Sequence, residues 1–453
     1  MNIILCKPIS EKATAITPCL GLGYLATAIR KKHEVILLDC VKEKMDFKDF
    51  DEFLQKEKPD IVGIQYFTCD HSSVLKMAKV AKESGCTVVV GGPHPTGDPV
   101  GTLKNKDIDF AFKGEAIKGF PMLIDSIENT NSFENIPGLI WRKEGKVIIN
   151  DNSFDYDFEE LPAWDLIKPD KYPFAPHGTL CRAKPAPIMI TFGCPFLCAY
   201  CQGKHLTGSN IRKRSIESII NEIKLLYEIY SIREIHIEDD NFTLDKNYAP
   251  EVCKAIINLG FKDLYFACPN GVRLETLDEK LLKLMEQAGF YSFAIGIESG
   301  NNRILKKMGR NTTKEVIRKQ IELIKNNTKI RMTGFCMMGY PTETLEEMEE
   351  TAEFTRSLPI HKVQYGNFHP LPGTPIYDEL KESGEIKDLD WDKFQDNTIS
   401  YSPEGVTKQQ LKKQMSKSFK RFYLRPKIIV GMLSEIKTFG QFKMLIKRGL
   451  ESF

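Results

Sequence analysis

Residues 190–203 read Ile-Thr-Phe-Gly-Cys-Pro-Phe-Leu-Cys-Ala-Tyr-Cys-Gln-Gly and place Cys194, Cys198 and Cys201 in one short loop after an apolar run. Thiolates are soft ligands, and four of them normally surround an iron–sulfur cluster or a zinc ion. Three cysteines in one loop therefore predict a metal centre with one position left open. An open position is where a substrate can bind and react.

The cysteines alone also fit half of a zinc site, or a disulfide with a spare thiol. A zinc ribbon needs a second cysteine pair or a Cys/His pair a short distance on, and His205 is the nearby candidate. The remaining cysteines are scattered along the chain without a pairing pattern. That distribution predicts reduced thiols in a cytoplasmic protein.

Length and composition limit the functional classes. At 453 residues the chain is long enough for two or three domains. Its formal charge of +2 gives no reason to expect nucleic acid as a partner, so a small molecule or a peptide is the expected substrate. No apolar run is long enough to cross a bilayer, and the first residues predict a strand rather than a signal peptide.

Residues 1–140 alternate short apolar strands with helices, which predicts a Rossmann-like, doubly wound parallel α/β sheet. The predicted strands are 2–5, 34–38, 60–67, 87–90 and 109–112. Such domains bind ligands in the crevice at the carboxyl ends of their strands. The candidate binding residues in the loops there are Gly21, Thr68, Cys69, Gly91, Gly92, Pro93, His94, Gly114 and Glu115.

A connector is predicted over residues 141–186, with a hairpin over 138–150 at the domain boundary. From 187 to 400 six strands alternate with helices, too few for a closed eight-stranded barrel, and predict a partial (β/α)6 barrel. These strands are 188–191, 234–238, 264–267, 293–297, 331–338 and 362–368. The predicted helix-capping residues are Ser215, Asp278 and Thr313, with Thr342 or Glu343 at the helix after the fifth strand.

Polar side chains follow the predicted barrel strands, at the end where barrel enzymes gather their chemistry. The acidic run 238–240 follows the second strand directly, although most such runs are solvated turns. Arg273 follows the third strand and can either form a salt bridge across the rim or clamp a carboxylate. The remaining rim candidates are Glu298, Ser299, Gly339, Pro341 and His369, the last being as compatible with a structural role as with substrate binding.

The spacing C-x3-C-x2-C, with Tyr200 before the third cysteine, resembles the signature of the radical S-adenosylmethionine (SAM) enzymes. The runs G-I-E-S-G at 296–300 and G-Y-P-T-E-T at 339–344 resemble the same family. In the first domain, P-C-L-G-L-G-Y-L-A, V-G-G-P-H-P-T and K-G-E resemble the cobalamin-binding domain of one branch of it. The D-x-H-x-x-G signature that gives other cobalamin proteins a histidine ligand is absent, because Asp70 and His71 are adjacent.

The resemblance implies a [4Fe-4S] cluster on Cys194, Cys198 and Cys201, with SAM on its open iron and cobalamin in the first domain. The implied SAM contacts are Glu238 or Asp239, Arg273, Glu298, Ser299, Gly339 and Pro341. The implied chemistry is reductive cleavage of SAM to methionine and a 5′-deoxyadenosyl radical, with an external one-electron reductant such as flavodoxin or ferredoxin. No side chain is assigned a catalytic role.

The leading functional hypothesis is methylation of an unactivated carbon of a small molecule or peptide. One alternative is a cobalamin-containing cyclase or ring-rearranging enzyme without methyl transfer. Another, from a different class, is a non-catalytic iron–sulfur scaffold or sensor. Residues 401–453 predict a lysine-rich helical region. Its last part, 422–453, fits either a packed helix with a solvated basic face, the more common case, or a helix on a membrane surface.

Overall fold

The structure is a computed structural model that describes residues 1–10, 16–156, 158–174, 181–395, 398–436 and 441–443. Parts of the predicted connector, 175–180, and of the predicted C-terminal region, 437–440 and 444–453, lie outside the described residues. The described residues form two large sheets, one two-stranded sheet and the helices that pack against them. Every helix in the described ranges is too short or too polar to span a bilayer.

The first sheet has seven strands in the order β2-β1-β3-β4-β5-β6-β7. They are β1 (Asn2–Lys7), β2 (Glu34–Asp39), β3 (Ile61–Gln65), β4 (Thr87–Gly91), β5 (Phe110–Phe112), β6 (Leu139–Lys143) and β7 (Lys146–Ile149). The first five are parallel, which confirms the predicted Rossmann-like sheet. The predicted hairpin is the antiparallel pair β6–β7. It completes this sheet instead of standing at its boundary, since Ala111 pairs with Ile140.

Helices cover both faces of the first sheet. They are α1 (Leu20–Ile29), α2 (Phe47–Glu57), α3 (His71–Glu83), α4 (Pro93–Gly97), α5 (Pro99–Thr102) and α6 (Gly119–Asn129). Side chains alternate between the faces of a strand, so Ile4 packs in one apolar cluster while Ile3 and Leu5 pack in the other. Burial on both sides explains why β1, β3 and β4 are continuous apolar runs.

The second sheet is an open, parallel partial barrel of six strands in the order β8-β11-β12-β13-β14-β15, as predicted. Its strands, and the short pair β9 and β10 beside it, are β8 (Pro185–Ile188), β9 (Thr191–Phe192), β10 (Arg212–Lys213), β11 (Glu234–Ile237), β12 (Tyr265–Val272), β13 (Phe290–Glu298), β14 (Arg331–Met338) and β15 (Lys362–Asn367). The first strand starts and ends three residues earlier than predicted. The strand ends at Ile188 because the N–H groups of Ile190 and Thr191 donate to the Asp239 carboxylate instead of to a neighbouring strand.

The helices of the connector, the barrel and the C-terminal region are α7 (Trp164–Ile167), α8 (Gly203–Thr207), α9 (Ile216–Glu228), α10 (Tyr248–Asn258), α11 (Glu279–Gln287), α12 (Asn302–Lys307), α13 (Lys314–Asn327), α14 (Leu345–Ser357), α15 (Pro375–Glu382), α16 (Lys408–Tyr423) and α17 (Pro426–Leu433). The predicted caps Ser215, Asp278 and Thr313 accept main-chain hydrogen bonds as expected. The predicted N-cap of α14, Thr342 or Glu343, was wrong. Thr344 caps this helix, in a capping box with Glu347.

The described part of the C-terminal region packs on the barrel. Leu411 and Phe422 of α16 are buried, and Lys417 and Arg421 form ion pairs with Glu349 of α14. Of the segment 422–453, Phe422 and Ile428 are buried against the barrel, and residues 437–440 and 444–453 lie outside the described residues, so the choice between a packed helix and a helix on a membrane surface stays a prediction.

A buried polar cluster ties the connector to the floor of the barrel, away from the strand ends. The Glu234 carboxylate accepts hydrogen bonds from the N–H groups of Arg182 and Ala183 at 2.7 and 2.9 Å. It also accepts one from the Tyr291 hydroxyl at 2.7 Å, and the His236 Nε2 atom lies 2.7 Å from it. These bonds satisfy the buried carboxylate, so the cluster acts as an anchor.

Candidate functional site

The three cysteines of residues 190–203 lie together at the carboxyl end of the first barrel strand. The pKa of Cys201 is raised to about 11, mainly by desolvation and also by nearby Cys198, Asp240 and Cys194, against a hydrogen bond from the Gly203 N–H that lowers it. Burial likewise raises the pKa of Cys194. Metal binding requires thiolates and releases these protons. Cys194 and Cys198 are half-buried, and Cys201 is exposed.

The sulfur atoms of these cysteines lie close to hydrogen-bond donors. Two donors already face the sulfurs, since the Gly203 N–H lies 3.3 Å from Cys201 Sγ and Arg273 Nη1 lies 3.9 Å from Cys198 Sγ.

Neighbouring elements hold the cysteine loop in place. The Asp239 carboxylate is 1% exposed and accepts hydrogen bonds from the N–H groups of Ile190 and Thr191 and from the Thr191 hydroxyl, at 2.6–2.7 Å. Further along, the Ala199 N–H donates to the carbonyl of Met308 after α12, at 3.0 Å. The loop is thus fixed at its start and in its middle.

Arg273 lies beside the loop at the end of β12. Its guanidinium stacks 3.5 Å from the centre of the Phe196 ring, and its Nε atom lies 3.5 Å from a Glu275 carboxylate oxygen. Glu275 follows Arg273 by two residues in the same segment, so this ion pair is local and does not cross the barrel rim. The same guanidinium stays at the cysteine loop, within reach of a ligand on it.

Glu298 ends β13 with a left-handed φ of 62°, at an irregularity of the strand pairing. The turn aims its carboxylate at Tyr200, which forms a hydrogen bond to it, and at Arg310, whose Nη1 atom lies 3.9 Å away. Burial raises the pKa of Glu298, whereas Arg310 and Tyr200 lower it. Arg310 was not found from the sequence, because it follows a short helix and belongs to no motif.

Glu238 and Asp239 differ in their surroundings. Asp239 is committed to the cysteine loop, and burial raises its pKa to about 7. Burial also raises the pKa of Glu238, the residue directly after β11. The Asn270 amide donates to the carbonyls of Glu238 and Asp239 at 3.1 and 3.3 Å, which steadies the turn between them.

The residues after β13 and β14 have different surroundings. Ser299 is fully buried in the wall, 3.2 Å from the Thr351 hydroxyl. Gly339 has a φ of 79°, and a side chain there would lie 3.3 Å from Asn367 Oδ1. Both amide atoms of Asn367 are buried without a hydrogen-bond partner among the described residues. Buried polar atoms of this kind need a partner such as ordered water or a ligand. Asn367 was not found from the sequence, because its local signal is only a polar residue at a strand end.

Pro341 and Glu343 are buried in the turn after β14. The Glu343 carboxylate accepts hydrogen bonds from the N–H groups of Gly339 and Tyr340 at 2.7 and 3.2 Å. Burial raises its pKa to about 8. This carboxyl group shapes the turn, which is why Thr344 and not Glu343 caps α14.

A cavity of about 290 Å³ lies at the carboxyl ends of the first sheet. Of the predicted residues it is lined by Gly21, Gly91, Gly92, Gly114 and Glu115. The barrel side contributes Met189, Phe192 and Thr207, so the cavity lies between the domains. Gly92 has a φ of 123°, and a side chain there would lie 3.0 Å from the Tyr66 carbonyl. The apolar, glycine-edged crevice suits a large ring-bearing cofactor.

The other predicted residues of the first domain, Thr68, Cys69, Pro93 and His94, do not line this cavity. His94 is buried in a stack with Tyr66, whose ring centre is 4.4 Å away, and its Nδ1 atom lies 3.3 Å from the Thr68 hydroxyl. Burial lowers the pKa of His94 to about 3, so its imidazole is neutral. Trp391, beyond the barrel, packs against it at 5.5 Å.

An interdomain ion pair closes one side of the cavity. Arg212 of β10 donates two hydrogen bonds to the Glu115 carboxylate, at 2.8 and 2.6 Å. The two side chains are 14% and 12% exposed. This bidentate contact joins the K-G-E loop to the barrel.

Known families match both parts of the chain. Residues 188–355 match the radical SAM superfamily, and residues 7–124 match the B12 binding domain. An uncharacterized methyltransferase of Pyrococcus horikoshii is 31% identical over 469 residues, covering 99% of this chain and 97% of that protein. The anaerobic magnesium-protoporphyrin IX monomethyl ester cyclase of Rubrivivax gelatinosus is 23% identical, covering 96% of this chain and 80% of that protein.

The fold also recurs in a solved structure. The radical SAM methyltransferase TsrM of Kitasatospora setae, with cobalamin and a [4Fe-4S] cluster bound, superposes with a TM-score of 0.72 at 16% identity. The match covers 96% of this chain and 91% of that one. The two proteins thus share the arrangement of both domains.

Proposed function

The chain belongs to the radical SAM enzymes that carry a cobalamin-binding domain, and on that premise we propose that it methylates an unactivated carbon of a small molecule or peptide. The observation that carries the proposal is the convergence of two cofactor sites. The cysteine loop and the apolar cavity lie at strand ends that face each other across one interface, with Thr207 lining the cavity six residues after Cys201.

Cys194, Cys198 and Cys201 would hold the [4Fe-4S] cluster, and the crevice at Gly21, Gly91, Gly92, Gly114 and Glu115 would hold cobalamin. The outer residues Thr68, Cys69, Pro93 and His94 would support the crevice from behind. When bound, the cluster supplies the electron that cleaves SAM and cobalamin carries the methyl group. The protein's own task is to bind, orient and exclude water.

For the SAM amino group we favour Glu238 over Asp239, because the Asp239 carboxylate is committed to the cysteine loop. Arg273 would face the SAM carboxylate, since it already points at Cys198. Glu298, oriented by Tyr200 and Arg310, would accept hydrogen bonds from the ribose hydroxyls. Gly339, Pro341 and Asn367 would contact the adenine, whereas Ser299 would serve only the wall.

The overall reaction balances with two molecules of SAM and two electrons. One substrate C–H bond is replaced by C–CH3, while S-adenosylhomocysteine, methionine and 5′-deoxyadenosine are released. The electrons come from an external one-electron carrier such as flavodoxin or ferredoxin. We place the enzyme in the cytoplasm, since scattered cysteines without a pairing pattern are typical of a reducing compartment.

The relative named as a cyclase favours one second candidate, a cyclisation or ring rearrangement without methyl transfer. Both candidates use the same cluster and SAM residues. They differ in whether S-adenosylhomocysteine is formed.

The test uses protein reconstituted with iron, sulfide and hydroxocobalamin under reduction by titanium(III) citrate, with SAM products measured by mass spectrometry. Methyl transfer predicts S-adenosylhomocysteine together with 5′-deoxyadenosine. 5′-Deoxyadenosine alone supports the cyclase, and failure to retain the corrinoid overturns the cobalamin half of the proposal.

Cys198→Ala should abolish 5′-deoxyadenosine formation and lower the bound iron. Cys253→Ala is the matched control, because that thiol is buried in α10 and is not one of the three loop cysteines. Equal iron in the two variants would contradict the cluster assignment.

A further inference from the structure

We propose that Gln202 is a positioning residue that joins the cysteine loop to the cobalamin domain, so that binding at either site strengthens binding at the other. The inference rests on the proposed function. Gln202 follows Cys201 directly and stands at the N-cap of α8. Its amide Nε2 donates to the Pro372 carbonyl at 2.7 Å and lies 3.3 Å from the Pro93 carbonyl.

This amide group therefore connects its own loop with two other segments of the chain. Pro93 begins α4, in the loop of the cobalamin domain that follows the cavity-lining Gly91 and Gly92. Pro372 lies in the segment after β15, on the barrel rim. Gln202 itself belongs to the cysteine loop. Gln202 thus contacts both the cobalamin-domain loop and the barrel rim.

The surrounding backbone leaves little room for adjustment. A side chain on Gly97 would lie 2.1 Å from the Pro372 carbonyl oxygen and 2.7 Å from Gln202 Nε2. A side chain on Gly373, whose φ is 76°, would lie 2.8 Å from Gly97 Cα. The two backbones thus meet directly, and the Gln202 amide fills the remaining gap.

Because Gln202 is buried, its two hydrogen bonds form only when the two loops and the rim are correctly positioned. Gln202 is 7% exposed, so water cannot easily replace its hydrogen bonds when the loops shift. A bound cluster fixes Cys201 and, through the next peptide bond, the start of the Gln202 side chain. The amide then holds Pro93 against the rim. Coupling of this kind acts equally in both directions.

The experiment measures the dissociation constant of hydroxocobalamin by its visible absorbance, with cluster-free and with cluster-loaded protein. In the natural protein, loading the cluster should tighten hydroxocobalamin binding by about fivefold or more. In Gln202→Met, which keeps the side-chain length but has no donor, the ratio of the two constants should fall to about one. Iron content and the EPR spectrum of the reduced cluster should stay unchanged.

Gln414→Met is the matched control. Gln414 is also buried and donates to Glu349 at 2.8 Å, but on α16, away from both cofactor loops. Its variant should keep the natural ratio. Gln202→Asn is measured alongside, since it keeps the amide but is too short to reach both carbonyls, and it should behave like Gln202→Met.

The second readout is the ratio of S-adenosylhomocysteine to 5′-deoxyadenosine, which should fall in both Gln202 variants because only the first product needs both cofactors aligned. A natural protein in which cluster loading leaves cobalamin affinity unchanged overturns the inference. So do Gln202 variants that keep the natural ratio of constants. If the natural protein retains no hydroxocobalamin at all, the proposed function itself fails, which separates the two cases.

Discussion

The Asp239 carboxylate accepts two hydrogen bonds from Thr191, one from the main-chain N–H at 2.7 Å and one from the hydroxyl at 2.6 Å. Through this pair, the residue after the second barrel strand fixes the start of the cysteine loop that follows the first. Asp239, one residue of the acidic run at a strand end, thus supports the loop that carries the three cysteines.

Replacing that carboxylate by an amide should weaken both the loop and the cluster. In Asp239→Asn one oxygen acceptor remains, so a buried N–H group loses its partner and the free energy of unfolding should fall by about 1–3 kcal/mol. Bound iron after reconstitution should fall with it. Denaturant unfolding and iron analysis measure the two effects.

Asp263→Asn serves as the control for this change, because Asp263 is 60% exposed and pairs with Arg233 on the surface. Its unfolding free energy should stay within about 0.5 kcal/mol of the natural protein. A similar loss in both variants would show that Asp239 has no special role at the loop.

Tyr200→Phe should weaken SAM binding by about two- to tenfold, the range expected for one hydrogen bond. The Tyr200 hydrogen bond lowers the pKa of Glu298 against the rise that burial causes, so its loss raises that pKa. Since the ionised carboxylate is the better acceptor for ribose hydroxyls, the loss of affinity should grow as the pH falls. Equilibrium dialysis with SAM at two pH values measures this.

Tyr227→Phe is the matched control, because its hydroxyl donates to Asp263 at 2.7 Å on the exposed surface. SAM affinity in that variant should equal that of the natural protein at both pH values. A Tyr200→Phe protein with natural SAM affinity would exclude Glu298 from the proposed ribose contact.

The sequence predicted the elements that repeat and missed the contacts that arise from long-range packing. The alternation of apolar strands and helices predicted both large sheets. The starts of three helices were predicted from Ser215, Asp278 and Thr313, since an N-cap is a local pattern. The hairpin at 138–150 was seen, but nothing local says that Ile140 pairs with Ala111. Such pairing depends on the whole sheet.

The same difference between local patterns and long-range packing applies to the candidate site. The cysteine spacing and the glycines of the crevice are motifs and were found. Arg310 and Asn367 were not, because each acts only where distant segments meet. Asp239 and Ser299 shared a motif with residues that face the mouth, yet neighbouring strand residues point to opposite sides, and both side chains are buried in the structure.

Breaking the Arg212–Glu115 pair should loosen the interface around the cavity. Arg212→Met leaves the largely buried Glu115 carboxylate without its bidentate partner. The free energy of unfolding should fall by up to about 3–5 kcal/mol. The dissociation constant of hydroxocobalamin should rise. Thermal unfolding and absorbance titration measure the two effects.

Arg30→Met is the matched control for that variant. Arg30 donates the same two hydrogen bonds to Asp165, both at 2.6 Å, but the side chains are 37% and 55% exposed. Exposed pairs contribute about 0–1 kcal/mol, so this change should be small and should leave cobalamin binding intact. Equal losses of stability and of hydroxocobalamin affinity in the two variants would mean that burial of the Arg212–Glu115 pair does not strengthen its contribution.

Glu343 gives the protein a predicted pH dependence of stability. Burial raises its pKa from 4.5 to about 8, so between these values the folded protein keeps a proton that the unfolded chain releases. Stability should therefore fall as the pH rises from about 5 to about 8, by at most about 1.4 kcal/mol per pH unit from this group. Glu343→Gln removes the titration, so its unfolding free energy should decline less steeply over the same interval, whereas Glu346→Gln, which changes an exposed side chain of α14, should keep the natural slope. Denaturant unfolding across this interval measures the three slopes, and an unchanged slope in Glu343→Gln would mean that this buried carboxyl group is already ionised at pH 5.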